Sequence, residues 1–173
     1  MILTRTFTSD LHVRDDDRVI SGTLVPYSVP VSIREYGKSY VEDFAPGAFV
    51  ADVDRASEVE LTALHPRSGA ELPIGITLSL TDTPAGLDGE WRISETDFGT
   101  EVLTLVRDKA LRSLSAGFTE GRNKWHTRQR VTRLTATLDH AALVRRGAYP
   151  TARLRAAQTQ PRLLLRLARM RSQ

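Results

Sequence analysis

The sequence contains no cysteine, which excludes disulfides, thiolate zinc sites and a cysteine nucleophile, and which suits a reducing compartment. Aromatic residues make up only 6% of the chain, so aliphatic side chains are expected to fill most of the core. No apolar run approaches the ~20 residues that a membrane-spanning helix needs. Residues 1–17 show neither a long apolar stretch nor a small-residue cleavage pattern, so no secretory signal is expected. Acids are missing from one region altogether. From Thr151 to Gln173 there are six arginines (Arg153, Arg155, Arg162, Arg166, Arg169 and Arg171) and no carboxylate side chain.

What is present defines one domain and a tail. A length of 173 residues with 40% hydrophobic content suffices for a single packed core. The whole chain holds 24 basic and 21 acidic residues; setting aside the six tail arginines leaves 18 against 21 in the body, a net of −3. The high pI of about 9.6 therefore belongs to the tail, and such a charge block reads as an interaction segment. Within it, Leu163, Leu164, Leu167 and Met170 fall on one side of a helix and Arg162, Arg166 and Arg169 on another, with Pro161 suited to the first turn. A helix this short is marginal alone in water and should order on a partner, a second copy of the chain or the body. The expected division is residues 1–152 as the folded domain and 153–173 as a basic amphipathic tail.

Glycine and proline punctuate short alternating runs up to Pro150. Strands are expected at Arg18–Leu24, Val31–Tyr36, Glu58–His65, Ile74–Leu80, Glu90–Ile93 and Leu111–Thr119, with turn signals at Pro84-Ala85-Gly86 and Asp88-Gly89. One helix, capped by Thr96 or Thr100, carries Val102, Leu105 and Val106 at helical spacing. Glu120–Arg130 reads as a polar loop, and Val131–Val144 as one long strand. The pattern predicts a mainly β, α+β fold: a β-barrel with surrounding helices.

Histidine directs the search for chemistry. His12 and His126 have polar neighbours and read as surface residues. In Glu58–His65, alternation puts Val59, Leu61, Ala63 and His65 on one face. Pro66-Arg67-Ser68-Gly69 then follows, so His65 ends a strand beside a loop. In the long strand, His140 falls in line with Leu134, Ala136, Leu138 and Ala142, while Asp139 points the other way, provided that no bulge intervenes. Two histidines on apolar faces each need a polar partner. The segment Leu114-Ser115-Ala116-Gly117-Phe118 puts Ser115 and Gly117 on one side, where the small glycine permits close approach of another group. Ser113 lies on the same face and is the competing serine. By spacing alone, a structural role is the favoured reading for His65 and for Ser115.

Taken together, these segments resemble the prohead maturation proteases of tailed phages, distant relatives of the herpesvirus assemblins. The resemblance is carried by Ile20-Ser21-Gly22-Thr23-Leu24-Val25-Pro26-Tyr27, by Glu42-Asp43-Phe44-Ala45-Pro46-Gly47-Ala48-Phe49, by Leu64-His65 with Pro73-Ile74-Gly75, and by Gly86-Leu87. It continues in Leu114-Ser115-Ala116-Gly117-Phe118, in Leu138-Asp139-His140-Ala141-Ala142-Leu143-Val144 and in Ala148-Tyr149-Pro150-Thr151-Ala152. It implies a herpesvirus-protease-like barrel and a serine endopeptidase, with Ser115 as nucleophile and His65 as general base. Many family members have Glu where this chain has His140, so His140 would complete a herpesvirus-like Ser-His-His triad. Asp139 is the alternative third member, because an acid beside the base is the commoner arrangement. Arg145 and Arg146 follow the closing strand where the assemblins place oxyanion-stabilising arginine; a solvated surface role is the competing reading.

The implied substrates are capsid protein precursor, scaffold and the protease itself, processed in the host cytoplasm inside the assembling procapsid. A second copy of the chain is a further candidate partner. Neither a cofactor nor a metal is implied, nor is a membrane or a specific nucleic acid. The mildly acidic body and the scarcity of aromatics argue against a base-stacking platform. The rival function is an inactive scaffold or structural assembly protein of the same fold.

Overall fold

The computed structural model describes residues 1–35, 37–63 and 72–145. His65, Arg146 and the tail 153–173 lie outside the described residues. Twelve strands are described: β1 (Leu3–Thr8), β2 (His12–Arg14), β3 (Val19–Pro26), β4 (Val31–Glu35), β5 (Lys38–Phe44), β6 (Glu60–Ala63), β7 (Gly75–Asp82), β8 (Gly86–Ile93), β9 (Ser113–Glu120), β10 (Asn123–Thr127), β11 (Arg130–Arg133) and β12 (Ala136–Val144). One α-helix, α1 (Asp97–Arg107), is present among the described residues. The fold is mainly β, as the alternation predicts.

The strands form an eight-stranded sheet in the order β1-β9-β12-β6-β7-β8-β3-β2 and a four-stranded sheet in the order β10-β11-β5-β4. Pairing is antiparallel except for β12 with β6 and β11 with β5. The turn between β7 and β8 is closed by Thr83, whose amide and hydroxyl both donate to the Gly86 carbonyl at 2.9 and 2.8 Å. The second turn signal fails, because Asp88-Gly89 lies inside β8. Gly89 is there for another reason: a Cβ on it would sit 2.3 Å from the buried Trp91 ring.

Thr96 caps α1, its hydroxyl accepting from the Gly99 amide at 3.0 Å. The helix buries Val102, Leu103 and Val106, while Leu105 is exposed, so the buried stripe runs through Leu103 where Leu105 was expected. Aliphatics line most of the core, as anticipated. At its centre, however, Phe7, Phe44, Phe49 and Phe118 meet with ring centroids 5.3–6.3 Å apart. These arrangements add about 0.5–1.5 kcal/mol per pair beyond area burial.

Two expectations are corrected in the stretch 120–144. The supposed loop is a hairpin of β10 and β11. The supposed long strand is two strands in different sheets, since β11 pairs with β5 and β12 with β9 and β6. The break falls at Leu134-Thr135, whose amides both donate to the Arg122 carbonyl, at 2.8 and 3.2 Å.

The sheets are joined by a buried ionic cluster. Arg5 of β1, Glu42 of β5 and Arg133 of β11 are all at most 4% exposed. Both guanidinium groups bond the Glu42 carboxylate, and Arg133 also bonds Glu120. Arg5 reaches Glu35 at 3.2 Å and the Tyr40 hydroxyl at 3.1 Å. Burial alone would lower the Arg5 pKa, but hydrogen bonds and charge from Glu42 and Glu35 hold it above its ordinary value. Tyr40 is pushed up to about 12, by burial first and then by its bond to Glu35. Removing one member of the cluster would strand a buried charge.

Candidate active site

β9 has two chemically distinct faces. Leu114, Ala116 and Phe118 enter the hydrophobic core, so Ser113, Ser115 and Gly117 lie on the other face by strand alternation. Ser115 is nonetheless fully buried. It is flanked by β1 and β12, and the register aligns Thr6, Ser115, Ala142 and Thr62 across four neighbouring strands. The Ser115 hydroxyl donates to the Arg5 carbonyl at 3.0 Å and accepts from the Thr6 hydroxyl at 2.9 Å.

His140 reaches this face through an irregularity. Leu138 pairs with Phe118 and His140 with Gly117, so Asp139 is an extra residue in β12, a β-bulge. Before the bulge, Ala136 and Leu138 face the core; after it, Ala141 and Leu143 do. The bulge thus moves His140 off the core side, where unbroken alternation would put it, and onto the side of Ser115. The His140 ring lies over Gly117, where a Cβ would come within 2.2–2.7 Å of three ring atoms. The space that glycine leaves is filled by this imidazole.

Asp139 and His140 are a pair in this arrangement. The Asp139 carboxylate lies 2.8 Å from His140 Nδ1. A carboxylate only accepts, so Nδ1 carries a proton, and in the neutral ring Nε2 is left as an acceptor. Asp139 is 46% exposed at its side chain and His140 11%. The bulge itself is supported by Asp52, which is 1% exposed and whose carboxylate accepts the Leu138 amide at 3.1 Å. Burial raises the Asp52 pKa, partly offset by that amide and by Arg55, which approaches at 3.0 Å.

The other candidates are less centrally placed. Ser113 is buried opposite Thr8 and Val144, four residues from Gly117 along β9, or about 13 Å at strand rise. Ser115 is two residues from Gly117, about half that distance. Arg145 is exposed just past Val144. His12 and His126 are exposed, as expected. A groove of about 500 Å³ among β2, β3, β7 and β8 is lined by Asp10, His12, Ser21, Thr23, Ser79 and Asp88, with His12 opposite Ser21 in the ladder; neither Ser115 nor His140 lines it. Thr6, the Arg5 carbonyl and Asp52 were not singled out by sequence. Leu3-Thr4-Arg5-Thr6-Phe7-Thr8 does alternate, but an arginine at a core position hides the strand.

The family model described as caudovirus prohead serine protease matches residues 8–163. Among solved structures, the bacteriophage T4 capsid assembly protease, gp21, is similar with a TM-score of 0.57 at 12% identity, covering 83% of this chain and 98% of that one. At that identity the likeness is one of fold. No curated protein matches.

Proposed function

The chain belongs to the caudovirus prohead serine protease family, and from that premise we propose that it is an endopeptidase whose nucleophile is Ser115, cleaving capsid precursor, scaffold and itself inside the procapsid. The observation that carries the site assignment is the bulge in β12, which sets His140 over Gly117 on the face that bears Ser115.

In this reading the Ser115 oxygen attacks the scissile carbonyl carbon while its proton passes to His65, which follows β6 in sequence. The tetrahedral adduct collapses, the C–N bond breaks, and His65 returns the proton to the leaving amine. Water then hydrolyses the acyl-enzyme by the same route. His140, with Nδ1 held by Asp139, offers Nε2 as acceptor for the His65 ring and so fixes its tautomer. A neutral imidazole stabilises the developing imidazolium less than a carboxylate does; Asp139 behind it restores part of that charge. Arg145 and Arg146 are the proposed oxyanion donors. The basis is their place in sequence after β12.

Incubation of the wild type with its cognate capsid precursor, followed by mass analysis, should give discrete fragments. Ser115→Ala should give none and should lose fluorophosphonate labelling while remaining folded. An inactive Ser113→Ala beside an active Ser115→Ala would move the nucleophile to Ser113.

A further inference from the structure

We propose that Thr6 is a positioning residue for catalysis, holding the Ser115 oxygen by a donated hydrogen bond that persists as the serine proton leaves. The proposal rests on Ser115 being the nucleophile. Thr6 is the direct ladder partner of Ser115, and its hydroxyl lies 2.9 Å from Ser115 Oγ. That contact has a second neighbour on the same oxygen. The Thr6 hydroxyl donates to Ser115, and Ser115 donates to the Arg5 carbonyl, 3.0 Å away, which can only accept.

The two contacts behave differently during reaction. When a base takes the Ser115 proton, the bond to the Arg5 carbonyl is lost. The bond from Thr6 remains and strengthens, because its acceptor gains negative charge. Thr6 therefore favours the state in which Oγ attacks, and its effect should fall on the chemical step.

β1 is built to hold Thr6 still. Its other face sends Leu3 and Phe7 into the core and Arg5 into the ionic cluster with Glu42. The strand is thus fixed from behind while its threonines lie on the sheet face that carries Ser113, Ser115 and Gly117. Thr6 is also β-branched, with few χ1 states to choose from.

The test is the fluorophosphonate inactivation rate of the full chain. Thr6→Val preserves shape and removes the donor; it should lower the maximal inactivation rate about tenfold, as the loss of one hydrogen bond implies, with half-saturation unchanged. Thr6→Ser, which restores the donor, should return to within about threefold of wild type. Thr6→Val within about twofold of wild type, or Thr6→Ser as slow as Thr6→Val, overturns the proposal. Melting temperatures accompany each variant. Should Thr6→Val fail to fold, Thr6→Ala is read the same way, and if neither folds Thr6 is a packing residue and the proposal fails. Ser115→Ala separates the two levels: labelling that survives it overturns the nucleophile assignment, whereas labelling lost in Ser115→Ala but normal in Thr6→Val overturns the role of Thr6 alone.

Discussion

The two strands beside β9 serve the same residue by opposite means. β1 runs in unbroken register from Leu3 to Thr8, and plain alternation delivers Thr6 to Ser115. β12 reaches the same face because its register breaks at Asp139. A regular ladder fixes which side chains share a face; a bulge exchanges the faces for every residue beyond it. One flank therefore depends on the absence of an irregularity and the other on its presence.

The largest test of the β12 flank is His140→Ala, expected to lower precursor cleavage about 100-fold with the fold intact, since the proposed mechanism would lose the partner of its base. Asp139→Asn should cost only several-fold, because that carboxylate is half exposed and acts through His140. An Asp139 effect equal to that of His140 would make the acid the principal partner of the base.

Gly117→Ala comes next. A Cβ there collides with the His140 ring, so cleavage should fall about tenfold and stability by about 1–3 kcal/mol. In the His140→Ala background the cleavage penalty should vanish. Additive losses in that cycle would show that Gly117 serves something other than room for the imidazole.

Asp52 gives the smallest effect and tests what holds the bulge. Asp52→Ala leaves the Leu138 amide without its acceptor, which should cost about 1–3 kcal/mol of stability and reduce cleavage several-fold. Asp52→Asn keeps an acceptor and removes the charge. The folded-state pKa of Asp52 is raised, so the native state binds the proton more tightly than the unfolded chain, and wild-type stability falls as pH rises through that window. The melting temperature of Asp52→Asn should therefore gain on that of wild type as pH rises above the ordinary aspartate range. A relative loss over the same rise would mean that the Arg55 pairing outweighs burial.

The face on which Ser115 lies was legible because alternation holds throughout β9, where Leu114, Ala116 and Phe118 do form the core. It placed strands well where glycine or proline marks their ends. It stumbled over 120–144, because Leu134-Thr135 contains neither residue and the chain changes sheets there without a turn signal. The His140 face was misread for a related reason: nothing in Leu138-Asp139-His140-Ala141 announces an extra residue. The bulge is set by long-range partners, Asp52 and the strand β9, which local pattern does not encode. Asp52 itself sits in a short 3-10 turn, where a buried acid looks like any surface one. Thr6 was hidden because Arg5 looks like a solvated residue until Glu42 and Arg133 are seen around it.

The grip on Ser115 also has a kinetic meaning. Thr6 and Ser115 are 109 residues apart in sequence, so a contact of 2.9 Å closes a loop comprising most of the domain. Closing such a loop is entropically costly and cannot precede the synthesis of β9. During translation β1 emerges long before its mate and must wait unpaired. The chain thus acquires the Thr6–Ser115 contact only after β9 has been made, and a half-made domain lacks it.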